Sequence, residues 1–251
     1  MGTMPRQDDH GLDRGFETTS WTLVGLLDGH EGSERREDAL ATLSERYWPP
    51  VYAYLRRTGS SSDEAAEITQ GFFTDVIFTR QLFQKANRDR ARLRVLILSA
   101  LKNYKIDRHR HETAGVRKLT LTGADVSEQE ATLPTSDQLP PERVFDQHWA
   151  TRVLQDALGR CEAHYRTSGK SGHWDAYVGQ VLHPSLHNTE AKPLEEVAAA
   201  LGFSNANAVA SALHVVKKRL MALLREVISE SMTNDDEIDA EFDYLCSLLQ
   251  G

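Results

Sequence analysis

Between residues 88 and 118 the chain carries ten lysines and arginines against three acids, a surplus of seven positive charges inside a protein of formal net charge −8. Such a concentration suits a polyanion, because each phosphate that a cation neutralises releases a condensed counterion. Arg90, Arg92, Arg94, Lys102, Asn103, Lys105, Arg108 and Arg110 offer charge and hydrogen bonds to a nucleic-acid backbone. Tyr104 offers a ring on which an unstacked base could sit, although its spacing from Ala100 and Leu101 favours a place in a core. A second set lies between 205 and 219. Asn205, Asn207, Ser211 and His214 have the donors and acceptors that read base edges, and Lys217, Lys218 and Arg219 suit phosphates. A third set, Glu64, Glu67, Gln70, Phe72 and Asp75, joins acids to an aromatic residue, the composition of a patch that grips a basic protein partner.

Other chemistries find little support. His183 and His187 stand four apart, a spacing that binds zinc on a helix, but Pro184 between them argues against a helix and no third ligand is suitably placed. His109 and His111 merely flank Arg110. Ser168 to Gly172 contains Gly-Lys-Ser without the upstream glycine and strand of a phosphate loop, so it reads as a turn. No nucleophile elbow or paired-carboxylate arrangement stands out. The expectation is a protein that is not an enzyme and holds neither metal nor cofactor.

These residues need helices to position them, and the apolar spacing supplies helices throughout. Phe16 to Arg57 is helical in pattern, with Leu40, Leu43, Tyr47, Val51, Tyr54 and Leu55 at three- and four-residue steps; Pro49 and Pro50 should kink or restart it. Ser61 followed by Glu64 is a capping box for a helix burying Ala65, Ile68, Phe72, Val76 and Ile77. Of the adjacent Phe72 and Phe73, one should be core and the other an anchor for the partner. Leu93, Ile97 and Leu101 define a third helix. Phe145, Trp149, Val153, Ala157 and Cys161 form the stripe of a fourth, and Trp174, Tyr177 and Val181 a short apolar segment. A short helix ending at Gly202, a polar turn and a longer helix with Val209, Leu213, Val216, Leu220, Leu223 and Val227 on one face follow the helix-turn-helix pattern. Ile238, Phe242, Leu245, Leu248 and Leu249 form a last amphipathic helix in a segment with no Lys or Arg after Arg225 and eight acids.

No strand alternation competes, so the fold expected is all-α: two helical domains joined by a flexible linker, the C-terminal one containing the helix-turn-helix. The boundaries are a disordered 1–15, an N-terminal domain over 16–111, a linker over 112–141 rich in Thr, Ser, Gly and Asp, and a C-terminal domain over 142–251. Apolar content of 40% supports real cores, and no apolar run reaches the length of a membrane span. The polar N-terminus lacks a secretory signal. Two unpaired cysteines, Cys161 and Cys246, fit a reduced, cytoplasmic setting.

The order of basic helical domain, linker and helix-turn-helix resembles the extracytoplasmic-function sigma factors, from about Phe16 to Leu249. Glu64-Ala-Ala-Glu-Ile-Thr-Gln-Gly-Phe-Phe73 is similar to that family's polymerase-docking helix. Arg90 to Tyr104 is similar to the loop and helix that open the downstream promoter element, and Pro193 to Leu224 to the domain that reads the upstream element. Pro141 to Ala150 resembles the extra helix of the long-chain subgroup with an acidic C-terminal extension. The resemblance implies a sigma subunit whose partners are core RNA polymerase and promoter DNA, with room for an anti-sigma or other regulatory protein, and no membrane.

One segment departs from the family. The reading helix holds Ala210, Ala212 and Val215 where basic residues are usual, and its turn is one residue longer. Upstream contact is then weak or uses asparagine-to-adenine readout. Two other readings stay open: a stand-alone helix-turn-helix regulator dimerising around Phe242 and Leu245, and a protein-interaction adaptor on a sigma-like scaffold with weakened DNA binding. The acidic tail could also mask the basic surface.

Overall fold

The computed structural model describes residues 33–79, 92–119, 139–232 and 237–249, the side chains of 33–35 and 112–119 excepted. All regular structure among them is helical. The expectations for 1–15, for the start of the first helix, for Arg90 and for 120–138 lie outside the described residues.

Helix α1 (Ser33–Arg57) buries Leu43, Tyr47, Val51 and Leu55 completely, as the spacing required. It runs unbroken through Pro49 and Pro50. Pro49 has no amide proton to give the Glu45 carbonyl four residues back. Arg152 of the facing helix donates its Nε to that carbonyl at 3.0 Å, so a tertiary hydrogen bond replaces the missing helical one. The expected restart does not occur, and a local reading has no means of seeing that distant partner.

Helix α2 (Ser62–Phe72) opens with the expected capping box: the Glu64 amide donates to the Ser61 hydroxyl and the Ser61 amide to the Glu64 carboxylate. It widens into a π-helical turn over Phe73–Ile77. Helix α3 (Leu93–Leu119) carries Leu93, Ile97 and Leu101 inward. It extends eight residues past 111, so the beginning of the segment expected as linker is helical.

Helix α4 (Pro141–Thr167) starts with proline in its first turn, where no helical bond is lost, and buries the predicted stripe from Phe145 to Cys161. Helix α5 (Ser171–Tyr177) passes through a second π-helical turn, Val178–Leu182, into the one-turn helix α6 (His183–His187). Pro184 falls in that first turn, where proline is tolerated, so the argument against a helix there does not hold. The rings of His183 and His187 lie 4.4 Å apart, yet no group of three or more metal-ligating side chains exists among the described residues.

Helices α7 (Leu194–Leu201) and α8 (Ala206–Ser229) are joined by a four-residue turn, and α9 (Ile238–Leu249) follows. One buried cluster runs from Leu43 and Tyr47 on α1 through Leu101 on α3 and Trp149 on α4 to Val227 on α8 and Leu245 on α9. The segments expected as two domains share that core. Phe242 and Leu245, expected to be free for dimerisation, are buried in it. No single described helix is long and apolar enough to cross a membrane.

Candidate nucleic-acid interface

The α7–α8 joint is built from local rules. Gly202 stops α7 in the left-handed region, at φ +74°, where a side chain would be strained. The Phe203 amide donates to the Ala198 carbonyl at 2.9 Å, closing the cap. Asn205 then starts α8: its side-chain oxygen accepts from the Ala208 amide at 3.0 Å. The two axes meet at 86°. Val197, Ala198 and Val209 pack with Ala176 of α5 into a small core of their own, with Leu194, Phe203 and Leu213 around it. An open notch at the joint is lined by Glu195, Ala198, Phe203, Asn205 and Asn207.

The helical period decides which α8 residues face water. Val209, Ala212, Val216 and Leu220 are buried, whereas Asn207, Ala210, Ser211, His214, Val215, Lys217 and Lys218 are exposed. Asn207, Ser211, His214 and Lys218 follow one another at steps of one turn, so four of the residues expected to touch DNA share a face with Lys217 beside them. Neither lysine makes an ion pair among the described residues. Two expected contacts are placed differently. Asn205 has its oxygen engaged in capping the helix. Arg219 is half-buried, with its Nε out of reach of solvent and of any partner and its charge near Cys161 and Tyr165 of α4. It leans toward the core because position 219 neighbours the buried Val216 and Leu220.

The basic helix α3 is the larger surprise, because most of its cations are engaged within the chain. Arg94, expected to hold DNA, is only 8% exposed. Its Nε and Nη2 donate to Glu241, and its Nη1 to Asp146 at 2.7 Å. The guanidinium lies between the rings of Trp149 and Tyr244. Burial works against its charge, but the hydrogen bonds and negative charges of Glu241 and Asp146 outweigh that and raise its pKa above the ordinary value. A DNA-holding role is closed to it in this arrangement. Arg92 pairs with Glu237 and Glu241, Lys102 with Glu142 at 2.7 Å, and Arg108 with Glu67 at 2.8 Å. Lys105 donates to the hydroxyl and carbonyl of Thr58, and burial lowers its pKa. Asn103 and Arg110 remain exposed, Arg110 at 3.7 Å from Asp107. Pairing across helices depends on tertiary packing, which a count of charges along one segment does not register.

The side chains of Glu64, Glu67 and Gln70 on α2 and of Asp75 in the π-helical turn after it point outward as expected. Phe72 does not: both it and Phe73 are buried. The helix lies in a groove, so Phe72 meets Tyr104 of α3 while Phe73 meets Trp48 of α1, and neither is left as an anchor. Tyr104 packs there with its hydroxyl donating to Asp75 at 2.9 Å, an approach that leaves room for nothing larger than Gly71. Its role is packing.

Of the three apolar residues that the sequence places at reading positions of this helix, Ala210 and Val215 are exposed near Ser211 and His214, whereas Ala212 is buried, so position 212 is not open to a base in any case. In comparisons with family models, characterised proteins and solved structures, the chain matches none.

Proposed function

We propose that the protein is a sigma-type transcription factor: it binds core RNA polymerase, and its α7–α8 pair holds duplex DNA at promoters. The observation that carries this reading is the solvent face of α8. Base-reading types, Asn207, Ser211 and His214, precede two cations with no ion pair among the described residues, Lys217 and Lys218, on one helix that leaves its predecessor at a near right angle. That is the order a helix needs to enter a major groove, with its first turns on base edges and later cations on phosphate. The exposed acids of α2 supply a surface for a basic polymerase partner. In this reading Asn103 and Arg110 are, among the side chains described on α3, those open to a DNA strand.

The test is co-purification with core polymerase followed by run-off transcription. The full chain is expected to bind core and start transcripts at discrete sites. A Lys217→Ala, Lys218→Ala double variant should retain core binding and lose those transcripts. Absence of core binding by the native chain removes the sigma reading.

The adaptor reading has its own support. Arg92, Arg94, Lys102 and Arg108 are paired within the chain, and α7 opens with Glu195 and Glu196, the wrong sign for phosphate. Transcripts unchanged by the double lysine variant would favour it.

A further inference from the structure

We infer that the α8 face selects A·T pairs, and that it does so through the asparagine amide of Asn207 and the methyl groups of Ala210 and Val215. The inference rests on the duplex-DNA reading above and adds which bases the face accepts. In the major groove adenine shows an acceptor at N7 and a donor at N6, guanine two acceptors, and thymine a methyl group. An asparagine amide carries one acceptor and one donor group, so it matches adenine with two hydrogen bonds. Guanine needs two donors, supplied best by Arg or Lys.

The face has no such cation where bases would lie. Asn207, Ser211 and His214 fill its first turns, and the first cation, Lys217, stands ten residues beyond Asn207, about 15 Å further along the axis. At that distance it meets backbone rather than the same base pair. Asn207 is free for the task because the capping role belongs to Asn205.

Val215 is the second, independent observation. It is 51% exposed on a helix whose valines at 209, 216 and 227 are completely buried. Ala210, on the opposite edge of the Asn207–Ser211–His214 stripe, is also exposed. Both lie among the polar reading positions, and an apolar side chain there has a matching feature in the groove, the thymine methyl.

The experiment uses the full chain and base analogues, which leave the protein untouched. Duplexes are selected from a randomised pool and affinities measured by fluorescence anisotropy. Selected sites should be enriched in A·T pairs. Replacing the contacted adenine by 7-deazaadenine removes N7, and Asn207→Ala removes the amide; each should weaken binding about tenfold, and the two together no more than either alone. Uracil in place of thymine should weaken binding of the native chain more than that of Val215→Ala, which keeps the Ala210 contact. Lys217→Ala should weaken all duplexes alike and lower the salt slope by about one. Guanine-rich selected sites, or an Asn207→Ala loss equal on every duplex, overturns the base assignment while leaving DNA binding standing. No selection of any duplex overturns the DNA reading and this assignment with it.

Discussion

Arg94 turns a feature that looked like a ligand contact into a structural one. Two carboxylates, Asp146 and Glu241, face it from different helices, and Tyr244 donates its hydroxyl to Asp146 at 2.6 Å. Removing the guanidinium leaves the buried Asp146 without that counter-charge and Glu241 with Arg92 alone. Arg94→Ala should therefore cost about 3–5 kcal/mol in urea unfolding. Arg94→Lys should recover little, because an ammonium cannot reproduce the fork that bridges the two acids. Tyr47 makes a different prediction. Its hydroxyl is buried near Ser231 and Trp149 but makes no hydrogen bond of normal geometry among the described residues; burial, offset in part by the charges of Arg46 and Arg94 and by those two polar neighbours, pushes its pKa up from 10 to about 12. The folded value lies above the unfolded one, so the unfolded chain loses its proton first. Stability should fall as pH climbs from 10 toward 12 and be unaffected by this group below that window. Tyr47→Phe should be neutral or mildly stabilising at neutral pH and should flatten the alkaline slope of the melting curve.

Helix ends were legible in the sequence because caps are local. Ser61 with Glu64, Gly202 and the turn before α8 all stand where short-range rules put them. The same locality allows a prediction: Asn205→Ala should destabilise the protein by about 1 kcal/mol in thermal melts, whereas Asn205→Ser, which keeps an acceptor, should restore most of it. If Asn205 served DNA rather than the helix, serine would instead fold normally and bind poorly. What the sequence could not show at this scale is substitution of one element's bonds by another's. Pro49 and Pro50 signal a break, and only Arg152, on a different helix, removes the need for one. Phe72 and Phe73 likewise need two flanking helices to explain why neighbours a hundred degrees apart are both buried.

Across the whole molecule, the sequence announced an all-helical chain with a cationic middle and an acidic end and allowed that the end could mask the middle, but it did not show which pairs would form, Arg92 and Arg94 with Glu237 and Glu241. The apolar stripes from Leu43 to Leu101 and from Phe145 to Leu245 were readable because burial imposes periodicity. Their merging into one core was not, since periodicity names the inward face of a helix and not its neighbour. The candidate site shows the same limit: the α8 face follows from period, whereas the loss of Arg94 and Phe72 follows from contacts between helices. A shared core should unfold as a unit. Far-ultraviolet circular dichroism and tryptophan fluorescence, which sees Trp48 on α1 and Trp149 and Trp174 beyond the linker, should give coincident urea transitions with one slope; separate midpoints would mean that the halves are independent. The stitch between Arg94 and Glu241 spans 147 positions. Ribosomes deliver polypeptide from the N-terminus at roughly 5–20 residues per second. Arg94 accordingly emerges about ten seconds before its principal anion, and until then Asp146 alone faces it where the seam of helix α3 closes. A chain ending ahead of 241 would leave that seam with half of its ion pairs unmade.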